Sequence, residues 1–101
     1  MTTNFDLRFS DNFYKDFSNI ISYIKNELGN TIAAENLIEK VDIEINKRLS
    51  NPQDFQVFLT PNQNKYYRIY INNFIILYTV TNTDMIVRRI IYYKRNLDEL
   101  L

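Results

Sequence analysis

The sequence predicts an α+β domain of order β-α-α-β-β-β, an antiparallel twisted sheet with an N-terminal helical hairpin packed on one face. Three observations carry that prediction. Tyr66 to Arg95 (YYRIYINNFIILYTVTNTDMIVRRIIYYKR) holds three β-branched and aromatic runs broken at Asn72-Asn73 and at Asn82-Thr83-Asp84. Asn and Asp tolerate the positive φ of tight turns, so the breaks read as two hairpins. Upstream, two stretches carry apolar residues at helical spacing. Finally, a chain of 101 residues that is 46% hydrophobic, with one Gly and two Pro, can support a real core as a single domain spanning 1–101.

Taken in order, Phe5–Phe9 (FDLRF) alternates apolar and polar, the period of a half-buried strand. Ser10 or Asp11 offers an N-cap. Phe13, Phe17, Ile20, Ile21, Ile24 and Leu28 then share one helical face, with Lys15, Asp16, Ser18, Asn19 and Ser22 on the other. Gly29 stands where a helix needs a left-handed residue, so the first helix is expected over 11–28. Asn30-Thr31 caps a second helix with the stripe Ala34, Ile38, Val41, Ile45 and Leu49, ended by Asn51-Pro52. Residues 52–65 show no period and read as a loop, with a turn at Pro61–Asn64. After Arg95 the segment NLDELL is long enough for one helical turn or a tail. The hairpin covers one sheet face; the other is left open, and that is where a site or partner belongs.

The formal net charge is zero, but residues 65–95 hold six cations (Lys65, Arg68, Arg88, Arg89, Lys94, Arg95) against the single acid Asp84. The strand region therefore suits local contact with an anionic partner, whereas the whole molecule is not a polycation. With neither Cys nor His, thiolate metal sites, disulfides and the commonest general base are excluded. No cofactor or metal is expected. The absence of a secretory signal or an apolar run of membrane-spanning length leads to the expectation of a soluble, cytoplasmic protein that makes no membrane contact. Glu35, Glu39, Asp42 and Glu44 read as a solvated helix face, and the eight tyrosines mainly as packing residues of a pleated surface.

The order of elements, the hairpin ISYIKNELGNTIAAENLIEKV and the closing pattern YYRIYINNFIILYTV…IVRRIIYYKRNLDELL resemble the RelE/ParE superfamily of type II toxin–antitoxin toxins. The long hairpin with its Leu28-Gly29 break looks more like the ParE branch. That resemblance implies a toxin that arrests growth by inhibiting DNA gyrase. It also implies a cognate antitoxin whose C-terminal segment wraps the toxin in a hetero-oligomer. In that setting Arg68, Arg88, Arg89, Lys94 and Arg95 would bind the target or the antitoxin. The RelE branch instead cleaves mRNA on the ribosome without metal. On that reading Arg68 and Arg95 clamp phosphate, Tyr93 or Tyr92 is the acid, and Lys94 assists. Arg suits such a clamp because its planar fork binds phosphate oxygens in pairs. The same cations on a solvated strand face are the plain structural alternative. Tyr92-Tyr93 stands where many relatives have His-Gly or Tyr-Gly, so a toxin that retains only antitoxin binding is a third reading. Counting by twos along the last strand puts Arg88, Ile90, Tyr92 and Lys94 on one face and Arg89, Ile91, Tyr93 and Arg95 on the other.

Overall fold

A computed structural model describes residues 4–93, which leaves Lys94, Arg95 and the closing NLDELL segment outside the described residues. The chain runs β1 (Asp6–Phe9), α1 (Asp11–Ser22), α2 (Thr31–Asn46), β2 (Val57–Leu59), β3 (Lys65–Ile71), β4 (Phe74–Val80) and β5 (Asp84–Tyr92). The expected α+β architecture is present, with one strand more than the sequence suggested. The strand order across the five-stranded sheet is β1-β5-β4-β3-β2.

Ser10 starts α1: its hydroxyl accepts from the Phe13 N–H (3.2 Å) and donates to the Arg88 carbonyl (2.6 Å). One side chain thus caps the helix and fixes it to β5. Past Ser22 the helix continues as a wider π-helical turn, Tyr23–Glu27, closed by Leu28 N–H to Tyr23 O at 3.1 Å. Gly29 at φ 61° then lets the Asn30 N–H turn back to Ile24 O (3.0 Å), and Asn30 in turn caps α2 through Ala33 N–H.

The buried stripe of α2 is Ala34, Leu37, Val41 and Ile45. Ile38, expected inward, is 42% exposed. The helix sits against β3 with Leu37 centred, which rotates Ile38 to the flank. It also ends at Asn46, earlier than expected, where the Asn46 side chain bonds back to Asp42 O (2.8 Å).

Two further expectations are corrected. Residues 52–65 are not all loop: β2 pairs antiparallel with β3, Phe58 opposite Tyr66. The connection is closed by Thr60, which accepts the Gln63 N–H on its carbonyl (2.8 Å) and the Asn64 N–H on its hydroxyl (3.1 Å). Gln63 takes the left-handed conformation that the turn needs (φ 63°). Second, the sheet is mixed, because β1 lies parallel to β5, with Asp6 opposite Asp84 and Phe9 opposite Val87. That direction brings Ser10, the next residue, level with the Arg88 carbonyl that it binds.

The two predicted hairpins form. Asn72 at φ 52° turns β3 into β4, and Thr81 bonds Asp84 to turn β4 into β5. Between the helices and the sheet lies the core: Phe13, Leu37, Val41 and Ile45 against Tyr67, Ile69, Ile71, Ile76, Tyr78, Met85, Val87 and Ile90. Tyr78 is fully buried, stacks on Tyr67 (5.1 Å), donates to Pro52 O (2.9 Å) and accepts from Arg48 (3.1 Å). This polar knot ties the chain after α2 to the centre of β4.

Candidate functional site

The face turned away from the helices follows from alternation: Tyr66, Arg68 and Tyr70 on β3, then Ile75, Leu77 and Thr79 on β4. On β5 the alternation is interrupted. Leu77 pairs with Arg89 but Tyr78 pairs with Val87, so Arg88 is an extra residue, a β-bulge. Met85 and Val87 before it and Ile90 after it all lie in the core. Both Arg88 and Arg89 therefore belong to the open face. This corrects the count by twos: Arg88 does not share a face with Ile90.

Arg68, Leu77 and Arg89 are direct cross-strand neighbours on β3, β4 and β5. The two guanidinium-bearing backbones are thus two strand spacings apart, about 10 Å. Each cation is held by its own support. Arg68 lies 3.7 Å over the Phe58 ring and donates to the Tyr70 hydroxyl (3.2 Å). Arg89 forms a two-pronged pair with Asp16 of α1, its second nitrogen at 3.0 Å. That bond raises the Arg89 guanidinium above its already high ordinary pKa. Asp16 also accepts the Ile90 N–H (3.2 Å), which completes the edge of β5 beyond the point where β1 stops. Arg88 turns to Thr79 (2.9 Å). A groove of about 460 Å3 lies among Phe58, Pro61, Tyr66, Arg68, Leu77 and Arg89.

The tyrosine pair splits. Tyr93 lies edge-on to Tyr70 (5.6 Å), donates to Asn72 O (3.2 Å) and bonds Asn73 O through its N–H (2.8 Å). Ile75, fully buried although on the open face, lies in register with Tyr70 and Ile91. Tyr92 instead packs against Phe74 on the helix side. The structure therefore brings Arg68, Arg88, Arg89 and Tyr93 to one face and leaves Tyr92 off it.

Sequence reasoning missed Asp16 and Phe58. Asp16 sat among the polar residues of an amphipathic helix, with nothing to mark it as a partner of Arg89. Phe58 lay in a stretch without period, yet its place opposite Tyr66 makes it the aromatic support of Arg68. Among the described residues, no group of three His, Cys, Asp or Glu is placed to hold a metal ion, and no helix is long and apolar enough to cross a membrane.

This arrangement can present paired guanidiniums, with aromatic and aliphatic surface between them, to an anionic or acidic surface. A family model described as the ParE toxin of type II toxin–antitoxin systems (parDE) matches residues 7–97. The chain belongs to the ParE toxin family. It is therefore a toxin of the type II toxin–antitoxin class. The solution structure of a conserved hypothetical protein from Helicobacter pylori is similar, at TM-score 0.58 and 18% identity over 90% of this chain and 97% of that one. The RelB–RelE antitoxin–toxin complex from Methanococcus jannaschii is also similar, at TM-score 0.50 and 22% identity over 93% and 99% of the two chains. At these identities the likeness is one of fold. No curated protein sequence matches the chain.

Proposed function

We propose that this ParE-family toxin arrests growth by binding DNA gyrase through its open sheet face, with Arg68, Arg88 and Arg89 as the contact residues. Release from a cognate antitoxin exposes that face. The observation that carries the proposal is the ParE family match along residues 7–97. The held geometry agrees with it: Arg68 is stacked and Arg89 is paired before any partner arrives, which favours recognition of a surface over proton transfer. Lys94 and Arg95, which lie outside the described residues, are proposed as further contacts on their charge alone. The antitoxin is the partner that the RelB–RelE complex suggests by analogy.

Ribosome-dependent mRNA cleavage is the second reading. It is favoured by one observation, the chain of contacts from Arg68 to Tyr70 to Tyr93. Here Arg68 and Arg95 would hold phosphate and Tyr93 would supply the proton; Tyr92, on the other side of the sheet, drops out.

Inducing the full chain without antitoxin should arrest bacterial growth. Normal growth at confirmed expression would leave only antitoxin binding as its role. Purified toxin should inhibit gyrase supercoiling, and Arg68→Ala together with Arg89→Ala should abolish that inhibition without unfolding the protein. New mRNA 5′ ends after induction, with gyrase unaffected, would replace the gyrase reading by the nuclease one.

A further inference from the structure

Arg8–Asp84, Lys47–Glu44 and Arg89–Asp16 are the ion pairs found among the described residues, and only the last involves a residue that lines the open-face groove. The fold fixes where its acid stands. Ser10 caps α1 and donates to the Arg88 carbonyl, while Asp16, further along the same helix, accepts the Ile90 N–H. The helix is therefore tied to β5 on both sides of the bulge, with the buried Phe13 between the two ties. The Asp16 side chain is 17% exposed, against 47% for Arg89. An acid held by its helix, by a strand N–H and by burial does not swing aside. The guanidinium that it grips still reaches solvent.

The atoms engaged determine what is left over. A guanidinium is a planar fork of N–H donors that can hold an oxyanion in pairs along either of two edges. Asp16 takes the inner edge: Oδ2 accepts from Nε and Oδ1 from Nη2. The outer edge, formed by Nη1 and the second N–H of Nη2, has no partner among the described residues. That edge can grip a further carboxylate in pairs. Asp16 thus leaves the binding edge of Arg89 open while restraining the side chain that carries it. A long side chain that is restrained beforehand loses less freedom when a partner binds.

We propose that Asp16 is a positioning residue of the open face: by holding the inner edge of the Arg89 fork, it aims the outer edge at an acidic group of the target. This rests on the reading of that face as the target contact and adds a residue that itself touches no target.

Asp16→Asn keeps an acceptor for the Ile90 N–H but removes the charge that holds the fork. Glu39→Gln, on the exposed side of α2, makes the same change in net charge outside the groove lining. With each variant shown by urea unfolding to be folded, Asp16→Asn should need about 2–10-fold more toxin to half-inhibit gyrase supercoiling. Glu39→Gln should match the parent chain, and in an Arg89→Ala background Asp16→Asn should change nothing further. Charge alone predicts the opposite sign, because removing an acid beside Arg89 strengthens its attraction to an acidic target. An Asp16→Asn protein as potent as its parent, or more so, would overturn the proposal. A second readout is independent of the target. The Arg89 Nε–H resonance, identified by its loss in Arg89→Ala, should stand apart from the free-arginine position and move to it in Asp16→Asn. A parent chain whose Arg89 signal already lies at the free position would overturn the proposal whatever the target. Should the parent chain arrest growth with gyrase unaffected, the gyrase reading alone fails; Asp16→Asn should then still arrest growth less than Glu39→Gln at matched expression, and equal arrest would overturn the proposal.

Discussion

Tyr78 and Asp16 each tie separate elements together through more than one polar contact. Burial pushes the Tyr78 hydroxyl above its ordinary value of 10, while Arg48 works against that shift. A raised folded-state value means that stability from the neutral hydroxyl is fully present below pH 10 and is lost as pH rises above it. Stability measured by urea unfolding should therefore fall from about pH 10 upward. Tyr78→Phe should remove most of that alkaline slope, at a cost of about 1–3 kcal/mol near neutrality because Pro52 O loses its donor. Asp16→Ala should likewise cost about 1–3 kcal/mol, since the part-buried Ile90 N–H then has no acceptor and Arg89 is released. Asp16→Asn, which keeps an acceptor, should recover part of the loss. Replacing Ser10 by Ala removes a cap and a bond to β5 at once, so its cost should lie near the upper end of the ~0.5–2 kcal/mol range for N-caps.

At the scale of elements, legibility followed local chemistry. The Asn72-Asn73 turn, the Ser10 and Asn30 caps and the Gly29 stop all depend on short-range backbone needs, and the residue types announce them. Features set by distant partners were not announced. β2 is only three residues long, and its existence depends on β3 being beside it. The inward face of α2 was misjudged by one residue because Leu37 and Ile38 are equally apolar, and only packing on β3 chooses between them. The bulge at Arg88 was invisible for the same reason: nothing in VRRII says which residue is extra. Gly29 gives a clean test of the local part. A Cβ there would meet no atom within 4 Å, so Gly29→Ala carries only the backbone penalty of positive φ, about 1–2 kcal/mol. Chemical denaturation against Gly29→Asn, which tolerates that φ better, should separate strain from any packing effect.

For the molecule as a whole, the sheet separates a packing side from the side proposed for recognition, and Ile75 and Ile76 sample both. They are adjacent on β4 and each fully buried, yet Ile76 faces the helices while Ile75 lies on the open face in register with Tyr70 and Ile91. Ile76→Ala should cost about 2–5 kcal/mol as a core cavity. Ile75→Ala should loosen the Tyr70–Tyr93 corner as well as destabilise, so it should impair growth arrest beyond what its loss of stability explains. Of the candidate site, the residue types and their strand were readable. Their shared face was not, because it depends on a single irregularity in pairing.

That irregularity bears on kinship. Removing Arg88 would join Val87 to Arg89 with alternation unbroken, and Ile90, Ile91 and Tyr92 would keep their orientations. A homologue without the bulge would thus be one residue shorter at this point, yet would still turn its counterpart of Arg89 outward. An ungapped comparison across β5 would then match every later position with a residue of the opposite face. The equivalence of arginines in such proteins has to be traced from the sheet.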